Sequence, residues 1–218
     1  MSNASEPNTD AKAREARQPK AREARQPKAQ EGKSPVVLQV VPELDVPGGT
    51  ERSTVEIAHA LTTAGWRALV ASAGSAMLHQ LDIAGAKHFQ LPLKGKNPVQ
   101  IRGNAGRLAE LIRAEKVDII HARSRAPAWS ALRAAQKTGC HFVTTFHGTY
   151  GTAGALKRRY NSVMVKGERV IANSEFTANH IIHNYPMDQE RLHTTPPAPH
   201  AAAFSAAAAP QARLTHLA

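Results

Sequence analysis

The sequence contains few of the residues that carry covalent or metal chemistry. Its single cysteine, Cys140, excludes a disulfide within the chain. Its histidines lack the close spacing of zinc ligands, so no metal site is expected. The polar N-terminus has no apolar run typical of a signal peptide, and no stretch approaches the roughly 20 apolar residues that cross a bilayer. These absences favour a reduced protein of the cytoplasm.

Three common enzyme signatures are also missing. No Gly-x-Ser-x-Gly elbow occurs, which argues against a serine hydrolase of that type. The glycine turn reads Pro47-Gly48-Gly49-Thr50, without Gly-x-Gly-x-x-Gly spacing, and the second predicted strand ends without an acid for a ribose. No Walker lysine follows these glycines. An NAD enzyme and a P-loop ATPase are therefore not expected.

Basic residues outnumber acidic residues. The formal net charge is +11, and residues 1–34, with eight basic and five acidic side chains, contribute only a small part of it. A basic protein attracts nucleic acids and anionic membrane surfaces without sequence specificity. A nucleic-acid binder is suggested by net charge alone, so we do not expect nucleic acid as the partner.

The two ends of the sequence differ from its middle. Residues 13–20 are repeated without change at 21–28, and a proline in each copy interrupts any helix. So short and polar a repeat cannot bury a core, which predicts a disordered basic tail over 1–34, with a tether for acidic lipids or RNA as the alternative. Residues 197–218, rich in alanine and proline, are predicted to be an irregular tail.

Over residues 35–196, apolar runs alternate with helical patterns. Six strands are predicted, at Val36–Val41, Arg67–Ala71, Lys87–Leu91, Val117–His121, His141–Phe146 and Arg169–Ala172. Six helices are predicted between and after them, at Thr50–Ala64, Ser75–Ala84, Val99–Glu115, Pro127–Lys137, Gly154–Val165 and Glu175–Asn184. This alternation predicts a single α/β domain, a doubly wound parallel sheet of the Rossmann-like type. Ligands are expected at the carboxyl ends of its strands.

The turn after the first predicted strand is the most informative local feature. Gly48 and Gly49 stand between an apolar strand and a helix start, where paired glycines allow close approach of a ligand to the backbone. The helix directs its free N–H groups and positive dipole end at this turn, which suits a phosphate or diphosphate. A tight turn without a ligand is the alternative.

Polar groups follow four of the predicted strands and should meet at one edge of the sheet. They are Gly48-Gly49, the group His121, Arg123 and Arg125, the pair His147-Gly148, and Asn173-Ser174-Glu175. Each has an ordinary explanation as well: Ser174, for example, suits a helix N-cap and Glu175 a helix start. Paired guanidiniums at a strand end are costly to bury without anionic partners, unless they remain solvated at the rim.

The order and spacing of these motifs resemble the N-terminal half of a retaining glycosyltransferase of family 4, a GT-B enzyme that uses nucleotide diphosphosugars. The likeness spans about Val36 to Thr195. Residues 121–129 look most like bacterial enzymes that extend lipopolysaccharide or related envelope glycans. The resemblance rests on Pro47-Gly48-Gly49-Thr50-Glu51, Val117-Asp118-Ile119-Ile120-His121, Thr144-Thr145-Phe146-His147-Gly148 and Val170-Ile171-Ala172-Asn173-Ser174-Glu175-Phe176.

The resemblance implies roles for the polar residues at this edge. His147 would be the catalytic candidate, near the transferred sugar, where an imidazole can bind a hydroxyl and support developing positive charge. Gly48, Gly49 and Thr50 would contact the donor diphosphate or sugar. Such enzymes need no metal, because helix dipoles and basic side chains stabilise the departing diphosphate, so no cofactor is expected beyond the donor substrate. The acceptor would be faced by His121, Arg123, Arg125, Ser174 and Glu175.

The sequence departs from the family pattern because the second Rossmann-like domain, with most donor contacts, is missing. Residues 195–199 also do not resemble the usual interdomain linker. We therefore expect an acceptor-side half that transfers little or no sugar alone. It would lie in the cytoplasm, with peripheral contact to the anionic inner-membrane surface. The alternative is a non-catalytic module that binds an anionic glycan or lipid.

Overall fold

The computed structural model describes residues 34–45, 48–74, 76–151 and 153–195. These residues form one sheet of seven strands: β1 (Val36–Val40), β2 (Arg67–Ser72), β3 (Lys87–Gln90), β4 (Ile119–Ala122), β5 (His141–Phe146), β6 (Arg169–Ala172) and β7 (Leu192–Thr194). The helices are α1 (Gly49–Thr63), α2 (Leu78–Ile83), α3 (Pro98–Glu115), α4 (Arg125–Thr138), α5 (Ala155–Asn161) and α6 (Glu175–Asn184). Short 3-10 helices follow at Ser162–Val165 and Gln189–Arg191.

All neighbouring strands are parallel, in the order β3-β2-β1-β4-β5-β6-β7. The chain therefore winds outward from β1 in one direction and from β4 in the other. This reversal opens a crevice beyond the carboxyl ends of β1 and β4, which is where doubly wound sheets bind their ligands.

The inner strands are largely buried and mostly apolar because helices cover both faces of the sheet. Alternate residues of a strand point to opposite faces. In β2, Leu69 and Ala71 join the larger core, to which α3, α4 and α6 contribute. Ala68 and Val70 join a second core with residues of α1 and α2. Helices α1, α2, α3, α4 and α6 thus shield the two faces of the sheet from water.

The predicted doubly wound α/β fold is confirmed, and the predicted strands agree with the observed ones to within two residues at each end. One strand, β7, was not predicted; its three residues extend the edge of the sheet beside β6. The helix predicted over 154–165 ends earlier, since its last turn is a 3-10 helix. The tails predicted over 1–34 and 197–218 lie outside the described residues except for Ser34, as does Pro47 of the glycine turn.

No helix in the described part of the chain is long and apolar enough to cross a membrane.

Candidate functional site

The glycine turn lies at the crevice between β1 and β4. Gly48 is the N-cap of α1, with an extended backbone at φ −90° and ψ 179°, and its carbonyl oxygen accepts a hydrogen bond from the Arg52 amide. A Cβ atom added to Gly49 would meet nothing within 4 Å. Neither steric crowding nor a positive φ therefore requires glycine at position 49. Open space above the backbone leaves room for the close ligand approach that the sequence predicts.

Arg123 ties the two strands of the crevice to α1. The residue is only 2% exposed. Nη1 donates to Gln39 Oε1 in β1 at 2.9 Å, and Nη2 donates to Ser53 Oγ in α1. Gln39 in turn donates from Nε2 to the Thr54 carbonyl oxygen at 2.9 Å. Through its guanidinium, Arg123 thus links the end of β4 to Gln39 of β1 and Ser53 of α1.

Within the part of the chain that the structure describes, the charge of Arg123 is buried and forms no salt bridge with a carboxylate. Burial lowers the pKa of its guanidinium to about 10, and the more distant Glu51 and Glu56 oppose this shift. Its Nε is buried and has no hydrogen-bond partner within the described residues. Among the described residues, neutral oxygens of Gln39 and Ser53 accept its hydrogen bonds, and an anionic partner for this costly buried charge stays a prediction.

His147 follows β5 and reaches the same edge of the sheet. Its Nε2 is buried and has no hydrogen-bond partner among the residues described. Burial, and secondly the charge of Arg123, lower the pKa of its imidazole to about 4. The ring is therefore neutral at pH 7. The backbone of His147 is held by Asn173, the residue after β6, whose Nδ2 donates to the His147 carbonyl oxygen at 3.0 Å.

His121, predicted to face an acceptor, lies inside the sheet instead. Only 6% of the residue is exposed, and its Nε2 lies 2.7 Å from Thr145 Oγ1 of the neighbouring strand. Burial lowers the pKa of His121 well below its usual range, with smaller contributions from Arg123 and His147. The position supports a role in holding β4 against β5, beneath the crevice, and not direct contact with a ligand.

Arg125 also turns toward the protein. Its Nη1 donates to Asn161 Oδ1 at 3.0 Å, and its guanidinium carbon lies 4.4 Å from the centroid of the Tyr150 ring. Asn161 in turn donates to the Gly151 carbonyl oxygen at 3.1 Å. Arg125 therefore fastens the loop after β5 to the start of α4.

Ser174 adopts the ordinary role that the sequence allowed. Its hydroxyl oxygen accepts a hydrogen bond from the Thr177 amide at 3.1 Å, which makes Ser174 the side-chain cap of α6. Glu175 is exposed in the first turn of that helix, where a negative charge is favourable.

The structure thus brings Gly48, Gly49, Arg123 and His147 to one crevice, whereas Arg125 and Ser174 are occupied by local contacts. Gln39 and Ser53 were missed by sequence reasoning. Gln39 did carry a signal: it is the single polar residue in the run Val36–Val41, and a polar side chain at a buried position requires a partner.

Within the described residues, no group of three or more His, Cys, Asp or Glu side chains is arranged to hold a metal ion.

Comparison with known proteins supports the family resemblance. The model of Glycosyltransferase Family 4 matches residues 47–199. A crystal structure of a glycosyltransferase from Rickettsia africae ESF-5 is 36% identical and has a TM-score of 0.73, with 85% of this chain and 48% of that chain covered. No curated protein matches the sequence.

Two further solved structures share the fold at lower identity. Anabaena Alr3699/HepE, in complex with UDP and glucose, is 18% identical with a TM-score of 0.58, over 74% of this chain and 44% of that one. Acinetobacter baumannii MurG is 15% identical with a TM-score of 0.52, over 76% and 46% respectively.

The chain therefore spans about half the length of these solved proteins. The matched family segment covers most of the domain, from the glycine turn to the end of the described residues. By this match the chain belongs to glycosyltransferase family 4, and its described residues form a Rossmann-like domain of the kind found in GT-B enzymes.

Proposed function

We propose that this chain is the acceptor-side half of a retaining glycosyltransferase that moves a hexosyl group from a nucleotide diphosphosugar to an envelope glycan or glycolipid. The observation that carries this proposal is the convergence of Gly48, Gly49, Arg123 and His147 at the crevice between β1 and β4. The length of the chain, about half that of its solved relatives, supports the view that further donor contacts come from a second domain.

In such a transfer, the bond between the anomeric carbon and the diphosphate oxygen breaks, and a bond from that carbon to the acceptor hydroxyl oxygen forms on the same face. The hydroxyl proton passes to the departing diphosphate. The N-terminus of α1 presents free N–H groups beside Gly48 and Gly49, with Thr50 in the same turn. These donors are suited to the negative charge that develops on the diphosphate.

His147 would contact the transferred sugar as a neutral imidazole. With a pKa lowered to about 4, the ring carries no charge at pH 7 and does not oppose positive charge that develops on the sugar ring. Its Nε2, which has no hydrogen-bond partner among the described residues, would hydrogen-bond a sugar hydroxyl. A ligand that supplies this bond would satisfy a buried polar atom, which favours binding at this position.

Arg123 and His121 would support this site from beneath. Both were expected to face the acceptor, and their burial supports a place for them in the floor of the crevice instead. Arg123 would hold α1 at a fixed position relative to β1 and β4 through Gln39 and Ser53. Acceptor contact would then fall to groups exposed at the same edge, among them Glu175.

NMR titration with nucleotide sugars tests the donor site. UDP is the first nucleotide to examine, because it occupies Alr3699/HepE. Addition of UDP-glucose, and of GDP-sugars in parallel, should shift the backbone amides of Gly48 and Gly49 and the imidazole signals of His147. His183, exposed at the end of α6, is the internal control and should not move. Shifts confined to distant residues, or none at millimolar ligand, would contradict the donor assignment.

A transfer assay tests the incompleteness of the chain separately. The chain is incubated with labelled UDP- or GDP-sugar and a lipid-linked acceptor, and product is compared with that of a two-domain family member. Little or no transfer is expected, since positioning and charge stabilisation each supply several kcal/mol of barrier lowering and most donor contacts would lie in the other domain. Turnover similar to that of the two-domain enzyme would refute this part of the proposal.

A further inference from the structure

Gln39 is a fully buried polar residue in an otherwise apolar strand. Its exposure is 0%, and the other residues of β1 are valine or leucine. A buried amide side chain requires partners for both its oxygen and its nitrogen. Both are present, because Oε1 accepts from Arg123 Nη1 at 2.9 Å and Nε2 donates to the Thr54 carbonyl oxygen at 2.9 Å. Gln39 therefore connects the guanidinium of Arg123 to the backbone of α1.

Ser53 connects the same guanidinium to the first turn of α1. Its Oγ accepts from Arg123 Nη2 and donates to the Thr50 carbonyl oxygen at 3.1 Å. Thr54 Oγ1 donates to that carbonyl oxygen as well, at 2.7 Å. Thr50 directly follows Gly49, the first residue of α1. Two hydrogen bonds thus lead from the charge of Arg123 to the turn whose free N–H groups face the crevice.

The groups that hold Arg123 are neutral. Its hydrogen bonds go to an amide oxygen and a hydroxyl oxygen, and among the described residues Glu51 and Glu56 act on it only from a greater distance. A glutamate at position 39 would have nearly the same shape as glutamine and would compensate the charge in direct contact. Glutamine instead fixes the guanidinium and leaves its positive charge uncompensated beneath the crevice.

We infer that Gln39 is a positioning residue that fixes Arg123 beneath the glycine turn without neutralising it, so that the buried positive charge attracts the diphosphate of the donor substrate. A fixed charge in a poorly solvated site acts strongly on a ligand and needs no reorganisation when the ligand binds. It adds to the positive dipole end of α1. The same charge helps to keep the His147 imidazole neutral, because it lowers the pKa of that ring. This role depends on the donor site proposed above.

NMR titration of the full chain with UDP tests the role of Gln39. The affinity is read from the backbone amides of Gly48 and Gly49. Gln39→Glu should weaken UDP binding about tenfold, the order that one added unit charge gives at roughly 10 Å and an effective dielectric constant of about 20. Gln136→Glu, the same substitution at an exposed position of α4, is the matched control and should bind UDP as wild type does.

The pKa of His147 is a second readout, and it needs no ligand. Gln39→Glu should raise this pKa, because a carboxylate beside Arg123 offsets the charge that lowers it. Ser53→Asp brings a carboxylate to the same guanidinium from the half-buried face of α1, and Ser53→Asn is its neutral counterpart. Ser53→Asp should bind UDP more weakly than Ser53→Asn and should have the higher His147 pKa, even if Gln39→Glu does not fold.

Three results would overturn this role of Gln39. The first is a UDP affinity that is the same in wild type, Gln39→Glu and Ser53→Asp. The second is an equal loss of affinity in Gln39→Glu and Gln136→Glu, which would show a general effect of net charge. The third is a His147 pKa that neither carboxylate variant changes. Absence of UDP binding to wild type would contradict the donor site itself, whereas equal affinities with binding intact would contradict the role of Gln39 alone.

Discussion

Replacement of Arg123 tests two effects of its buried charge: the free energy that its burial costs the folded protein, and the lowering of the pKa of His147. A guanidinium whose pKa is lowered to about 10 pays ~3 kcal/mol to remain charged in the folded protein, at ~1.4 kcal/mol per pKa unit. Arg123→Met removes that cost and keeps most of the apolar stem. The variant also leaves Gln39 Oε1, which is fully buried, without its donor. A stranded buried acceptor costs ~1–3 kcal/mol.

The free energy gained by removing the buried charge and the free energy lost by leaving Gln39 Oε1 without a donor nearly cancel. We therefore expect Arg123→Met to change the free energy of unfolding by no more than ~2 kcal/mol in either direction. Arg123→Ala also removes the stem, and the cavity that it leaves should cost ~2–4 kcal/mol more. Urea unfolding of both variants at pH 7 measures the difference.

The functional effect should appear at His147. The charge of Arg123 is the second cause of the low pKa of that imidazole, after burial. Arg123→Met should raise the pKa of His147, but not to its usual value, because the ring stays buried. NMR titration of the imidazole signals measures this change directly, and Arg133→Met, which removes an exposed arginine from α4, is the control.

Two outcomes would refute the reasoning. An unchanged His147 pKa in Arg123→Met would mean that the guanidinium does not act on the imidazole through its charge. A loss of more than ~4 kcal/mol, as large as that of Arg123→Ala, would mean that the hydrogen bonds outweigh the burial of the charge.

Because the pKa of His147 is lowered to about 4 in the folded state, only the unfolded chain binds a proton at this site between pH 6.5 and 4. The free energy of unfolding should therefore fall by up to ~3 kcal/mol over this range. Urea unfolding at several pH values should show a smaller fall for His147→Leu than for wild type. Ser174→Ala should cost ~1 kcal/mol in chemical unfolding, whereas Ser124→Ala, at an N-cap without a side-chain hydrogen bond, should cost little; equal losses would contradict the capping role. Gly139→Ala should lower the thermal midpoint, because an alanine is strained at φ +75°. Gly106→Ala should raise the thermal midpoint, because this position lies inside α3 with open space for a methyl group and alanine favours a helix. A lower midpoint in both variants would contradict this difference between the two positions.

The pattern of the sequence was sufficient to predict most of the fold. Apolar runs of four to six residues alternate with helical patterns, and parallel strands covered on both faces produce such runs. β7 escaped prediction because Leu192–Thr194 is too short for a periodic signal and owes its conformation to pairing with β6. The bounds of α5 were also wrong at the C-terminal end, where tertiary packing of Val163, Met164 and Val165 accompanies the 3-10 turn.

The strand and helix pattern was enough to predict which loops share an edge, because all strands of a parallel sheet have their carboxyl ends on the same side. Gly48, Arg123 and His147 each follow a predicted strand, so the pattern alone predicted that they lie near one another. The contacts of each side chain could not be predicted in this way, since its burial and its hydrogen-bond partners depend on residues far apart in the chain. Arg123 turned inward because Gln39, 84 residues away, offers it an oxygen, and His147 kept a free nitrogen because no described neighbour reaches it.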